Sequence, residues 1–414
     1  MFFLGLRKMA VFRIGLGLVL LYDLCDRASA FRIHFAADGV YPTTAPFPWL
    51  SLLHLSDSGF YQGLFFAIAI VAALAFTLGW RTKAAAIVAW LALVNIQHYA
   101  HLSRFSADDV LRLLLLWSIF LPLGARWSLD TRGKSPSAEA NPLAVAAILA
   151  QVAAITFASG VHKVFDPMWA EGRGVELAMR AHGTQLGQTL AQTPAFAIVL
   201  NYLTIAVQLA APLMLFVSNR MRAAGALILI AFQLALALCL NLGFFPFVTI
   251  VGLLLFLPER LFAEREREAP SRRAIACAIA VGVALPLVGQ TRLAQFLGLE
   301  QNWSMFAPPP THLPWIIVKL KAREGSEIDA ATHESFVSWE AARDAGIPAG
   351  IRWATLAFRL PEAPEVAPRI GHSLCRAWRE KSPMQASEVH LVVKDLRFKE
   401  SPIVPTLLAT VPCD

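Results

Sequence analysis

Residues 142–164 read PLAVAAILAQVAAITFASGVHKV, an apolar run of bilayer length that ends in an uncompensated cation, Lys163. About 20 helical residues cross the roughly 30 Å hydrocarbon core of a membrane. On a helix Thr156, Ser159, Gly160 and Lys163 recur every three or four residues and share one face. A face of small and hydroxyl residues packs against other helices rather than lipid, and leaves room beside the ammonium. A lysine enclosed there loses hydration, which disfavours its charged form and fits it for general-base work. The plainer alternative is a lysine that snorkels to the interface.

Working outward, eight more apolar runs flank this one, giving spans near 9–26, 63–80, 84–102, 109–124, 142–164, 194–217, 222–241, 244–258 and 273–291. The 414-residue chain is 57% hydrophobic and 16% charged, where soluble chains average about 25% charged. The expected fold is an all-α polytopic membrane bundle of about nine transmembrane helices, carrying a small C-terminal α+β extracytoplasmic domain. Strands are expected at Trp315 to Leu320 and Val389 to Val393, with a short amphipathic helix from Ile370 to Lys381. The expected boundaries are 1–291 for the bundle, 292–310 for an aromatic and proline-rich interfacial linker, and 311–414 for the small domain.

The net charge of +7 does not point to nucleic acid, because the basic residues sit in short loops between spans without interleaved aromatics. They sort by side instead. With the N-terminus cytoplasmic, the inner segments hold Arg7, Lys8, Arg81, Lys83, Arg126, Arg132, Lys134, Arg220, Arg222, Arg260, Arg265, Arg267, Arg272 and Arg273. The outer loops hold only Arg27, Arg32, Arg104, Arg173 and Arg180, with Lys163 at a helix end. That bias predicts a cytoplasmic N-terminus and an external C-terminal domain in a multi-pass protein; a bacterial inner membrane is the expected location. The run Glu264 to Glu268 reads as a solvated cytoplasmic loop. Cys375 and Cys413 could pair if their domain faces an oxidising compartment.

Residues 157–176, FASGVHKVFDPMWAEGRGVE, resemble the vitamin K-dependent gamma-carboxylase family, whose membrane part is also called the HTTM domain. The family pattern is a span ending in small residue, Gly, Val, basic residue and Lys, then Trp-x-x-Gly and a helix; Gly160, Val161, Lys163, Trp169, Glu171 and Gly172 match it. Met9 to Arg13 with Asp23 and Arg27, the Leu78 to Thr82 turn, and Trp127 to Asp130 are also similar, so the resemblance covers about 9–220. Trp303 to Pro308 is similar to the longer bacterial members. The resemblance implies that Lys163 is the base toward a reduced, vitamin K-type quinone, with O2 as oxidant. Carbon dioxide and a secreted peptide or protein would be substrates if glutamate is carboxylated. The family carries a histidine at the start of the fourth span, where this chain has Ala107-Asp108-Asp109. Quinol epoxidation without carboxylation therefore stands beside full carboxylation.

The expected site is Lys163 as catalytic base, with Asp108, Asp109, Arg112, His162, Trp169, Gly172 and His98 around the quinone. Asp108 and Asp109 precede Arg112 by four and three residues, so a carboxylate–guanidinium pair on one helix is expected, facing Lys163 as a polar wall. His98 and His101 lack a convincing third ligand, and no metal site is expected. Gln151, Asn201, Gln208, Gln233 and Asn241 read as interhelical hydrogen-bond formers, one or two of them available to a quinone. The rival reading is a non-catalytic membrane partner that helps a secreted protein mature; a transporter is a third.

Overall fold

Asn141 opens the helix that carries Lys163. Its side-chain oxygen accepts from Leu143 N at 2.9 Å, and Pro142 fills the first helical position, where a missing N–H is harmless. The computed structural model describes residues 4–35, 39–41, 50–132, 140–264, 272–329, 334–338, 351–381, 386–397 and 405–413. In chain order the helices are α1 (Leu6–Ser29), α2 (Phe31–His34), α3 (Gly59–Leu78), α4 (Thr82–Tyr99), α5 (Ser106–Ser118), α6 (Pro142–Phe165) and α7 (Pro167–Ala170). Then come α8 (Gly174–His182), α9 (Gln185–Ala191), α10 (Pro194–Met214), α11 (Asn219–Cys239), α12 (Phe245–Leu253), α13 (Arg272–Gly289) and α14 (Arg292–Phe296). The remainder is β1 (His312–Ala322), β2 (Glu327–Asp329), α15 (Ile351–Arg359), α16 (Ala367–Lys381), β3 (Ala386–Arg397) and β4 (Pro405–Pro412).

A helix lies at each of the nine apolar stretches. Among the described residues four of them, α3, α6, α10 and α11, are long and apolar enough on their own to cross a membrane. Nine spans are thus not shown: of the remaining five helices, α1 buries Arg13, Asp23 and Arg27 in its body, while α5 and α12 have only 13 and 9 residues. In α6, 83% of the apolar window is buried, against 28% in α10 and 22% in α11. So α6 is the inner axis of the bundle, while α10 and α11 turn most of their apolar surface outward.

Polar clusters mark the two ends of the bundle. At one, Lys8 pairs with Glu259 at 2.8 Å and Glu264 accepts from Arg7 N at 3.0 Å. The turns at 79–82 and 123–132 are joined there by Asp130, which accepts from Arg81 N at 2.7 Å and Thr82 N at 2.9 Å. Arg13 reaches the same turns, donating to the Leu123 carbonyl at 2.8 Å. These are loops of the basic side predicted from charge, although Arg265 to Glu268 of the mixed-charge run lies outside the described residues. The opposite end carries Asp23, Arg27, Lys163 and the small domain.

That domain is one antiparallel sheet in the order β2-β1-β3-β4, with Lys319 opposite His390 and His390 opposite Thr410. Helix α16 covers it closely because Gly371 has no side chain: a Cβ there would lie 2.6 Å from Val411 Cγ2. A disulfide joins Cys375 of α16 to Cys413 at the end of β4, across a sequence separation of 38. Cross-linking a loop of that length stabilises by about 2–4 kcal/mol through the unfolded chain. Cys375→Ser is therefore expected to lower the denaturant midpoint of the small domain, read as protease resistance, and a reductant should reproduce the effect on wild type alone.

Between α2 and α4 an aromatic cluster encloses His34, which is 4% exposed and stacks on Tyr41 with ring centroids 5.9 Å apart. Burial pushes its pKa from 6.5 down to about 4, with repulsion from Arg352 and Arg27 adding to this. Because the folded value lies below the unfolded one, the stability gained by the neutral ring is complete above pH 6.5. It is lost as pH falls from 6.5 toward 4, an acid destabilisation of about 3 kcal/mol. His34→Phe should flatten the melting temperature over that window; an unchanged slope would place the acid sensitivity elsewhere.

Candidate functional site

The last turn of α6 seats Lys163 deep in the protein, 3% exposed. Gly160, one turn earlier, is what lets α10 cross so closely, since a Cβ there would sit 2.9 Å from Gln208 Cβ. The Lys163 Nζ donates to Ser159 Oγ at 2.6 Å and to the Met305 carbonyl at 2.7 Å. A longer contact reaches the Ser159 carbonyl at 3.4 Å. Among the described residues no carboxylate lies within ion-pair distance of it. Its flank is the Trp169 ring, with Nζ 5.0 Å from the centroid.

Trp169 is positioned from three sides. Asp166 caps α7 and accepts from Met168 N at 3.0 Å and Trp169 N at 3.1 Å. The Trp169 indole N–H donates to the Phe306 carbonyl. Asn201 of α10 donates to the Trp169 carbonyl at 2.9 Å and accepts from Val175 N at 3.3 Å. Gly172, with φ +81°, makes the sharp turn into α8, and Gly174 leaves space for the indole, which a Cβ would strike at 2.2 Å. Phe306 itself has a left-handed φ of 58°, a conformation costing a residue with a side chain about 1–3 kcal/mol. The segment after the last apolar helix is thus pinned across this end of the bundle by Lys163 and Trp169 together.

Under that strap lies a cavity of about 810 Å³, within the size range of sites that enclose small ligands. Ser159, Lys163 and Trp169 form one wall, α10 and α11 the opposite one, and Met305, Phe306 and Pro308 the roof. Helix α15 of the small domain closes a corner with Ala354, Phe358 and Arg359. The lining is largely apolar, and among the described residues it contains no acidic side chain. Gln208 lines it too, and its Oε1 is buried with no hydrogen-bond partner. His182, at the end of α8, is a lining residue that sequence reading missed; its ring lies 5.6 Å from that of Phe306. Burial lowers its pKa, so it is neutral at pH 7.

A family model for the HTTM domain matches residues 6–260, more than half of the chain. The chain belongs to the HTTM family. No curated protein and no solved structure matches it significantly. Lys163, Trp169, His182 and Gln208 all fall inside the HTTM region, whereas the strap at 303–310 and Arg359 lie beyond it.

Of the other residues expected at the site, the structure takes Asp108, Asp109, Arg112 and His98 away from the cavity. They do not line it. The carboxylate–guanidinium pair expected on this helix forms through Asp109, which binds Arg112 at 3.0 Å, while Asp108 accepts from Arg27 at 2.9 Å and from both Nη atoms of Arg352 at 2.9 Å. Asp23 joins them, paired with Arg27 at 3.1 Å and with Arg352. Beside this cluster Asp109 and Glu300 share Arg104 and Arg112. The reason is that each carboxylate has a guanidinium partner from another element, so the ions neutralise one another instead of facing Lys163. His98 is buried with Nδ1 3.0 Å from the Leu50 carbonyl. His162 is exposed and, like Gly172, stands outside the cavity lining.

Proposed function

We propose that this HTTM protein is an integral membrane enzyme in which the Lys163 amine takes a proton from a hydroxyl of a reduced quinone held in the cavity. The observation that carries the reading is a lysine buried against an apolar, ligand-sized space with, among the described residues, no carboxylate within ion-pair distance. The wall suits a ring with a hydrocarbon tail, and the orphaned Gln208 Oε1 is an acceptor for a ring hydroxyl. A quinol supplies an ionisable hydroxyl and two electrons, which oxygen can accept.

The chain's own residues then have separable tasks. Ser159 Oγ and the Met305 carbonyl fix the amine against the wall, so that its lone pair is directed once the nitrogen is neutral. Trp169 offers a face to a ring, and the strap with α15 excludes water, which strengthens each polar contact inside. Neutral His182 is available to carry a proton on. Glutamate carboxylation is left out of the proposal, because the acids at the start of the fourth span are consumed in ion pairs. The disulfide, the basic loops gathered at the other end, and the charge bias support an outward-facing site in a cell membrane.

The test is oxygen uptake by proteoliposomes given menaquinol, phylloquinol or ubiquinol, with the quinone products analysed by mass spectrometry. Uptake that saturates with one quinol and yields its oxidised or epoxidised form is expected. If wild type consumes none of them, and a secreted protein co-purifies equally with wild type and Lys163→Ala, the maturation-factor reading replaces this one.

A further inference from the structure

Most buried cations of the outer end have an acid beside them: Arg27 and Arg352 share Asp23 and Asp108, while Arg104 and Arg112 share Asp109 and Glu300. Arg359 does not. It is the last residue of α15, half-buried, and it lines the cavity. Its guanidinium donates to the His101 carbonyl at 2.7 Å, and among the described residues no carboxylate lies within ion-pair distance, Asp109 and Glu362 acting on it only from farther away. Most of its donors are left for another partner, and a guanidinium fork matches a carboxylate or phosphate best. With Lys163 and His182 it makes up the basic groups of the lining, and no Asp or Glu among the described residues joins them there.

The rest of the space dictates the remainder of the ligand. Leu203 and Val207 of α10 and Ile228 and Phe232 of α11 all line it. Both helices expose most of their apolar surface on the bundle's outside, so the wall between cavity and lipid is thin. A molecule entering there comes from the bilayer, tail and all.

We propose that the cavity binds an anionic amphiphile, its acidic head group held by Arg359 and its hydrocarbon tail lying between α10 and α11. This goes beyond the quinol reading and does not depend on it, since Arg359 and Lys163 sit on different elements. The probes are tritiated oleate and oleyl phosphate, with oleyl alcohol as the neutral match, bound to the full-length protein in nanodiscs. Both anions should bind saturably and oleyl alcohol roughly ten- to a hundredfold more weakly, the range of a charge-assisted hydrogen bond. Arg359→Gln should erase that preference without changing oleyl alcohol binding, and Arg359→Lys should keep part of it. Binding of one anion only would name the head group; equal binding of all three, or a preference that survives Arg359→Gln, overturns the proposal. Should Arg359→Gln not fold, a fatty acid with a diazirine near its tail end decides the matter on wild type. Labelling on α10 and α11, competed by oleate, supports the proposal, and labelling elsewhere overturns it. Quinol turnover is not read in any arm, so the two readings fail separately.

Discussion

Replacing Lys163 with arginine is expected to abolish quinol-dependent oxygen uptake almost as fully as replacing it with alanine, a loss of about 10²–10⁴-fold in kcat. The two substitutions separate chemistry from architecture. Arginine keeps the charge and the donors that Ser159 and the Met305 carbonyl engage, and it stays protonated at any accessible pH. A merely structural lysine would tolerate it. A proton acceptor would not. Small primary amines should restore part of the activity of Lys163→Ala, by entering the space the side chain leaves, and should do nothing for Lys163→Arg. Wild-type rates in Lys163→Arg would remove the residue from the chemistry. The melting temperature, measured alongside, checks that each variant retains its fold.

The second large effect belongs to Arg352→Ala. Arg352 reaches from α15 into the bundle, where it meets Asp108 through two parallel hydrogen bonds and contacts Asp23 and, at 3.2 Å, Asp26. Removing one member of a buried ion cluster strands the others, at a cost of about 3–5 kcal/mol. Asp23 and Asp108 would be left to share Arg27 alone. The expected result is a small domain whose α15 lifts from the bundle, seen as faster hydrogen exchange over 351–359 and cleavage by added protease. Arg352→Lys keeps the charge but not the fork geometry and should fall between. If exchange over α15 is unchanged in Arg352→Ala, the cluster is not what docks the domain. Adding Asp108→Asn should recover part of the lost stability, because the stranded charge goes with it.

Much of the architecture was readable because lipid imposes long apolar runs, and a helix lies at each stretch the hydropathy marked. Lys163 was readable too, since small residues three and four positions before it announce a packed face, and the face packs. The pairing of Asp109 with Arg112 was legible as well, but the placing of the acids opposite Lys163 was not. Spacing along α5 shows which guanidinium is near in sequence, yet the stronger partner of Asp108 comes from 244 residues away, in a domain whose sequence carries no mark of docking. His182 and Arg359 escaped because a basic residue ending an amphipathic helix is commonplace, and only the fold turns these two toward a common space. The carbonyls of Met305 and Phe306 had no signal at all, as any residue supplies one.

Those two carbonyls have a practical consequence for anyone dissecting the protein. A fragment ending at residue 260 would hold every residue matched to the family yet lack the acceptors that grip Lys163 and Trp169. Such a fragment would be an unroofed vessel, its amine hydrated by the outside medium. Similarity and chemistry draw their borders at different points of this chain, and an expression plasmid should follow the second.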